Sequence, residues 1–266
     1  MTDARFPAPD AETYDDVVTE MIDLTVRGGT TPAFLARPAA PGPHPGVVIG
    51  AEGTGPNSFI RRVAATLAHL GFVAIVADYY RGTGPADPED YSDIDDMVAH
   101  IDALDFRQAI QDELAALDCL IARDDVDATR LASWGYCTGA TMALFLPCVR
   151  HDVAAAVCFF PSQPWFETID ARHPVHAMDL LWNIQGSIAF MLGDLDVVIP
   201  PERIPEVQGR LDQWGVDGTI FTYPDAQHAF CAEGATFYNA EASALSWQDA
   251  VGFLTTKLGS GRAPGN

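Results

Sequence analysis

The spacing of apolar positions changes repeatedly along the chain, and each change marks an element. Residues 19–26 and 31–37 are short β-like runs on either side of Gly28-Gly29, which predicts a hairpin. A proline-rich bend over residues 38–45 follows, and then the apolar run Val47-Val48-Ile49, read as a buried strand. Residues 61–70 have helical spacing, and residues 72–77 form another apolar strand. Residues 82–96, rich in Pro and Asp, read as a loop. A long amphipathic helix is expected over 105–123 and a strand over 131–134. The helix that starts at Thr138 should end or kink near 146, because Pro147 has no N–H to continue it. Strands are expected over 153–160, 188–192 and 219–223, with helices over 202–214 and 244–258.

Strands that alternate with helices of this length imply an α/β fold: a mostly parallel central sheet covered by helices on both faces. Residues 1–18, rich in Pro, Ala and Asp, are expected to be a loosely ordered lead-in. Residues 19–258 are read as one α/β domain, and residues 259–266 as a tail. A chain of 266 residues with 48% hydrophobic content can bury a full core without disulfides or metal staples.

Charge narrows the partners. The 37 acidic residues outnumber the 15 basic ones, a formal charge of -22, so a phosphate backbone would be repelled and no nucleic-acid partner is expected. The five cysteines are Cys119, Cys137, Cys148, Cys158 and Cys231, an odd set without CxxC spacing that fits a reducing compartment. The start, Met1-Thr2-Asp3-Ala4-Arg5, has no apolar signal core behind it, and no apolar stretch reaches the ~20 residues of a membrane helix. A cytoplasmic protein without a membrane partner is expected, as a monomer or small homo-oligomer.

The candidate chemistry centres on Gly135-Tyr136-Cys137-Thr138-Gly139, between an expected strand and an expected helix. This is the G-x-nucleophile-x-G pattern of a nucleophile elbow, a tight strand-to-helix turn that needs small residues at both flanks. The turn would lift the thiol to a helix N-terminus, where the dipole favours thiolate, and would aim the Thr138 N–H at a developing oxyanion. A buried structural cysteine in a Gly-bounded turn would give the same five residues.

A thiol of pKa ~8.5 needs a neighbouring base near neutrality. Of the histidines at 44, 69, 100, 151, 173, 176 and 228, His228 follows the last expected strand, and Asp196 follows the strand before it. Their order after Cys137 is nucleophile, acid, histidine. Asp194 competes with Asp196 for the acid role. His173 and His176 form an HxxH pair near Asp170 and Asp179, but they lack a clear helix and a third spaced ligand, so no metal site and no cofactor are expected.

These residues resemble the dienelactone hydrolase family, across residues 19–258. The elbow matches G-x-C-x-G. Gly193 to Pro200 matches a G-x-x-D segment followed by apolar residues and Pro, and His228-Ala229-Phe230 matches H-x-F. Tyr238, Ala242, Ala244, Trp247, Phe253 and Leu254 resemble the family's C-terminal run. The resemblance implies the α/β-hydrolase fold and a Cys137–His228–Asp196 triad that cleaves a small-molecule ester or lactone through a thioacyl intermediate. It further implies that Glu52, in Gly50-Ala51-Glu52-Gly53-Thr54, contacts the resting thiol and helps activate it. The N–H groups of Gly53 and Thr138 would form the oxyanion hole. Arg81, in Asp78-Tyr79-Tyr80-Arg81, would bind a substrate carboxylate, with Tyr80 and Tyr136 as further substrate contacts.

Three departures bear on the substrate. Ala232 stands where the dienelactone-cleaving member has a second carboxylate-binding arginine. Phe159-Phe160-Pro161 replaces aromatic-aromatic-Gly, and Ala140 replaces a glycine behind the elbow. An esterase or thioesterase acting on an uncharged acyl substrate is the alternative within hydrolases. A ligand-binding or redox-sensing domain that uses a reactive Cys137 is the alternative outside them.

Overall fold

The structure is a computed structural model, and it describes residues 8–11, 13–85, 87–233 and 236–259. Eight strands form one sheet in the order β1-β2-β4-β3-β5-β6-β7-β8. They are β1 (Val17–Val26), β2 (Gly29–Pro38), β3 (His44–Gly50), β4 (Val73–Ala77), β5 (Val126–Tyr136), β6 (Val153–Phe159), β7 (Ser187–Gly193) and β8 (Asp217–Tyr223). The hairpin β1–β2 runs antiparallel, as does the pair β2–β4, and every pairing from β4 to β8 is parallel. The helices are α1 (Ser58–His69), α2 (Ile94–Asp102), α3 (Phe106–Ile121), α4 (Thr138–Val149), α5 (Ile204–Trp214) and α6 (Ala240–Leu258).

The continuous apolar runs are explained by burial on both faces. On β4, Ala74 and Val76 pack with Ile60, Val63 and Ala64 of α1, while Val73, Ile75 and Ala77 pack with Ala116, Leu117 and Leu120 of α3. Successive side chains of a strand point to opposite faces, so a strand with helices above and below is apolar at every position. This is the layered α/β-hydrolase architecture, with the carboxyl ends of β3, β4, β5, β6, β7 and β8 along one edge.

Two expectations need correction. Pro147 does not end α4, which continues to Val149. The proline leaves the Ala143 carbonyl without its helical N–H donor, and the Ser133 hydroxyl donates to that carbonyl instead at 2.7 Å. The expected loop over 82–96 gives way to α2 at its end: Asp93 caps the helix by accepting the Asp96 N–H at 2.9 Å, and Asp95 and Asp96 suit the dipole in the first turn. In the lead-in, Tyr14 stacks on His69 of α1 with ring centroids 4.6 Å apart, and its hydroxyl bonds Thr66 at 2.9 Å. Of the tail, only Gly259 lies within the described residues.

Candidate active site

Cys137 stands between β5 and α4 with φ 51° and ψ −115°, a conformation that costs about 1–3 kcal/mol for a non-glycine residue. Hydrogen bonds hold it there. Its N–H donates to Phe159 O of β6 at 3.0 Å, and its carbonyl accepts from the N–H groups of Ala140 and Ser162, both at 3.1 Å. The flanking glycines are needed for space. A Cβ on Gly135 would lie 2.2 Å from Gly139 O, and one on Gly139 would lie 2.1 Å from the carbonyl carbon of Gly50. The elbow therefore presses against the end of β3. That contact sets Gly53 beside the elbow, where a Cβ on it would stand 3.4 Å from the Thr138 hydroxyl.

His228 reaches the sulfur from the segment after β8. His228 Nε2 lies 3.2 Å from the Cys137 sulfur, and Nδ1 lies 2.9 Å from Asp196 Oδ2. Asp196 is buried, and its other oxygen accepts the N–H groups of Val198 at 2.7 Å and Ile199 at 3.0 Å. The loops carrying the two residues are joined: Asp194 N–H donates to Tyr223 O at 3.0 Å, and Leu195 N–H to Ala226 O at 2.9 Å. This crossing also excludes a side chain, since a Cβ on Gly193 would meet Ala226 O at 2.1 Å. Asp196, and not Asp194, is the carboxylate on His228; Asp194 Oδ1 is buried without a partner among the described residues.

The electrostatics favour charge separation. Burial pushes the Cys137 thiol up, but the charge and hydrogen bond of His228 outweigh it and hold the thiol below its ordinary value. Burial pulls His228 down, yet Cys137 and Asp196 together raise it to about 10. Each partner therefore favours the charged form of the other, thiolate beside imidazolium. Burial raises the Glu52 carboxyl, which accepts a hydrogen bond from Asn57 Nδ2. Among the described residues no hydrogen bond joins Glu52 to the sulfur; the sulfur bonds His228 and, at 3.9 Å, the Thr138 hydroxyl. Asn57 is the hydrogen-bonding partner of the Glu52 carboxylate, and Glu52 acts on the thiol through its charge, which opposes the thiolate.

Among the described residues, the N–H groups of Gly53 and Thr138 have no protein acceptor. Their directions are fixed from behind. The Tyr79 hydroxyl donates to Ala51 O at 2.8 Å and Glu52 O at 2.6 Å. In a trans peptide the C=O and N–H point opposite ways, so holding the Glu52 carbonyl fixes the Gly53 N–H. The Tyr80 hydroxyl donates to Gly53 O at 2.6 Å.

The three residues expected against substrate are engaged elsewhere. Arg81 Nε and Nη2 reach the two oxygens of Asp112 at 2.9 and 2.7 Å, and Asp112 is fully buried. A bidentate partner in low dielectric leaves that guanidinium little attraction for a further carboxylate. Tyr80 spends its hydroxyl on Gly53, and Tyr136 is buried with its ring stacked on Phe159 at 4.5 Å. His173 pairs with Asp170 at 3.1 Å, and His176 accepts the Phe166 N–H at 3.0 Å. Asn57 and Tyr79 were not singled out from sequence. Asn57 also caps α1, accepting the Ile60 N–H at 3.0 Å.

A family model described as "Dienelactone hydrolase family" matches residues 31–258. The chain belongs to the dienelactone hydrolase family. A Bradyrhizobium protein named "Probable 2-oxo-3-(5-oxofuran-2-ylidene)propanoate lactonase" is 28% identical over 244 residues, 92% of this chain and 96% of that one. A Yersinia pestis protein named "Putative carboxymethylenebutenolidase" is 28% identical over 86% of this chain and 85% of its own. The crystal structure titled "Putative Dienelactone Hydrolase" from Klebsiella pneumoniae superposes with a TM-score of 0.81 at 25% identity, covering 90% of this chain and 98% of that one. As a member of this family the chain is a hydrolase of the ester and lactone class. Among the described residues, no helix is long and apolar enough to cross a membrane.

Proposed function

We propose that this dienelactone hydrolase family member cleaves its ester or lactone through Cys137, with His228 as acid and base and Asp196 as the orienting carboxylate. The observation that carries the reading is the unbroken chain from sulfur to Nε2 at 3.2 Å and from Nδ1 to Asp196 at 2.9 Å. The Cys137 thiolate attacks the carbonyl carbon, forming a C–S bond while the carbonyl electrons move onto oxygen. The N–H groups of Gly53 and Thr138 receive that oxyanion. Collapse breaks the C–O bond, and the leaving oxygen takes the proton from His228 Nε2. The imidazole, neutral now, removes a proton from water, which attacks the thioester and expels thiolate and acid. Asp196 keeps the ring turned throughout, since its Oδ1 is fixed by two backbone donors while its Oδ2 holds Nδ1.

The substrate favoured by this site is an ester or lactone without a carboxylate near the reacting bond. Arg81 is held by Asp112, and Ala232 brings no charge. A cavity of about 680 Å³ opens beside Glu52, and Asp87, Glu89 and Glu233 also line it. Among the described residues its one cation, Arg62, lies 3.6 Å from Glu233. A negatively charged wall repels an anionic acyl group and tolerates a neutral one.

Mass spectrometry of protein quenched during turnover of an aryl ester tests the route. An acyl adduct on Cys137, absent in Cys137→Ala together with turnover, is expected; full turnover by Cys137→Ala would sink it. Neutral esters should be cleaved faster than carboxylated analogues of equal size, and the reverse order would remove the substrate reading while leaving the nucleophile intact.

A further inference from the structure

A second feature lies at the same edge of the sheet, on the far side of β3 from Cys137. In this acidic chain nearly every described cation is matched with a carboxylate: Arg37, Arg61, Arg62, Arg81, Arg123, Arg130, Arg150, Arg203, Arg210 and Lys257 all form ion pairs. Among the described residues the exceptions are Arg27, Arg107 and Arg172. They are not scattered. Arg27, in the β1–β2 turn, and Arg107, in the first turn of α3, line one cavity of about 300 Å³ together with Arg81. Arg172 adjoins it in the chain packing, its carbonyl accepting the Arg107 N–H at 3.0 Å.

The carboxylates near this cavity are already committed. Asp105 on its wall caps α3, accepting the Gln108 N–H at 3.1 Å. Asp112 holds Arg81 by two bonds. Neutral donors complete the wall, with the Gln111 amide exposed on α3. The start of a 16-residue helix adds its positive end, partly offset by Asp105 at the cap. With 37 acidic residues to choose from, two guanidiniums left unpaired in one concavity are the donors that an external acceptor would meet.

We propose that the Arg27–Arg107 cavity binds a small oxyanion, a carboxylate or a phosphate group, at a site separate from Cys137. Guanidinium forks suit the paired oxygens of both groups, and the 300 Å³ volume admits a compact metabolite-sized ligand and no polymer. The inference rests on the placement of these arginines and is independent of which residues carry out hydrolysis.

Calorimetric titration of the full chain at constant ionic strength, with inorganic phosphate, succinate and chloride as separate probes, tests it. Saturable binding of phosphate or succinate above the chloride control is expected, with affinity falling about tenfold in either Arg27→Ala or Arg107→Ala, the loss of a charge-assisted hydrogen bond. Binding of phosphate alone assigns a phosphoryl ligand, and binding of succinate assigns a carboxylate. Both side chains are exposed, so unchanged thermal unfolding without anion should show that the variants are folded. No saturable binding by the wild type, or equal binding by the Arg27→Ala/Arg107→Ala double variant, overturns the proposal.

Discussion

Replacing Gly139 by alanine drives a methyl group into the backbone of β3. The new Cβ would lie 2.1 Å from Gly50 C and 2.2 Å from both Gly50 O and Ala51 O. Comfortable carbon contacts begin at about 3.5 Å, so α4 and β3 must separate by about 1.4 Å. Neither side can give easily: α4 is buried along nearly its whole length, and β3 is hydrogen-bonded on both edges by β4 and β5. Overpacking of this kind costs about 1–3 kcal/mol, which in a chain of this size lowers Tm by about 2–4 °C for each kcal/mol. The effect on rate should be larger. The same contact sets Gly53 against Thr138, and a misplacement of about 1 Å between reacting groups costs about 100-fold. An aryl-ester assay should therefore show kcat/KM down about 100-fold, mostly in kcat, with Tm down several degrees. Gly209→Ala and Gly252→Ala serve as controls, since both glycines lie inside helices with nothing within 4 Å of an added methyl. Each should gain about 0.5–1 kcal/mol of stability and keep full activity. If Gly139→Ala kept wild-type kcat and Tm, the elbow's contact with β3 would not be what sets the site.

Other contacts lead to four shorter predictions. Cys137 titrates below an ordinary thiol, so its alkylation by iodoacetamide should hold its plateau as pH falls through ~8.5, where a free cysteine is already losing thiolate. In His228→Ala the burial and the Glu52 charge remain while the favourable partner is gone, and the midpoint should move above that of a free thiol. Tyr79→Phe frees the Ala51 and Glu52 carbonyls and should lower kcat about tenfold with little change in KM, a split that a general loss of folding would not give. Breaking the Arg81–Asp112 pair should cost about 3–5 kcal/mol in urea unfolding as Arg81→Met, which strands a fully buried carboxylate, and less as Asp112→Asn, because Arg81 reaches solvent. Glu113 is buried with both oxygens unpartnered among the described residues, and burial raises its carboxyl well above the usual range. A carboxyl raised on folding keeps its proton while the unfolded chain loses one, so stability falls as pH climbs past the unfolded value of ~4.3. Glu113→Met should accordingly raise Tm at pH 8 by more than at pH 5.

The parallel core was legible because burial on both faces of β3 to β7 leaves apolar runs that no half-exposed strand would show. The grouping of Cys137, Asp196 and His228 was legible through their order, each in the segment that follows a strand. Two of the features that escaped were set by contacts distant in sequence, and a third was local. Pro147 reads as a helix breaker until Ser133, from β5, is seen donating to the Ala143 carbonyl. Helix α2 was hidden by its acidic composition, although Asp93 with Asp95 and Asp96 is a capped, dipole-matched start. Arg81 illustrates the limit best. Its place after β4 could be read from the chain, but the carboxylate that occupies it comes from Asp112, thirty-one residues later on α3.

Two kinds of constraint meet at this edge of the sheet, and they act on different parts of the residues. The positions of Cys137, Gly53, Asp196 and His228 depend on backbone crossings too close for any Cβ, Gly139 on Gly50 and Gly193 on Ala226. Those crossings are indifferent to what lies in the cavity. The charge that a substrate meets depends on side chains alone: whether Arg81 is free or paired, and whether position 232 carries a guanidinium or a methyl. A change of side chain can therefore alter the charge at the site without moving Cys137. That is why family membership carries the reaction class to this chain and not the substrate, and why Asp112, by holding Arg81, bears on the charge a substrate would meet.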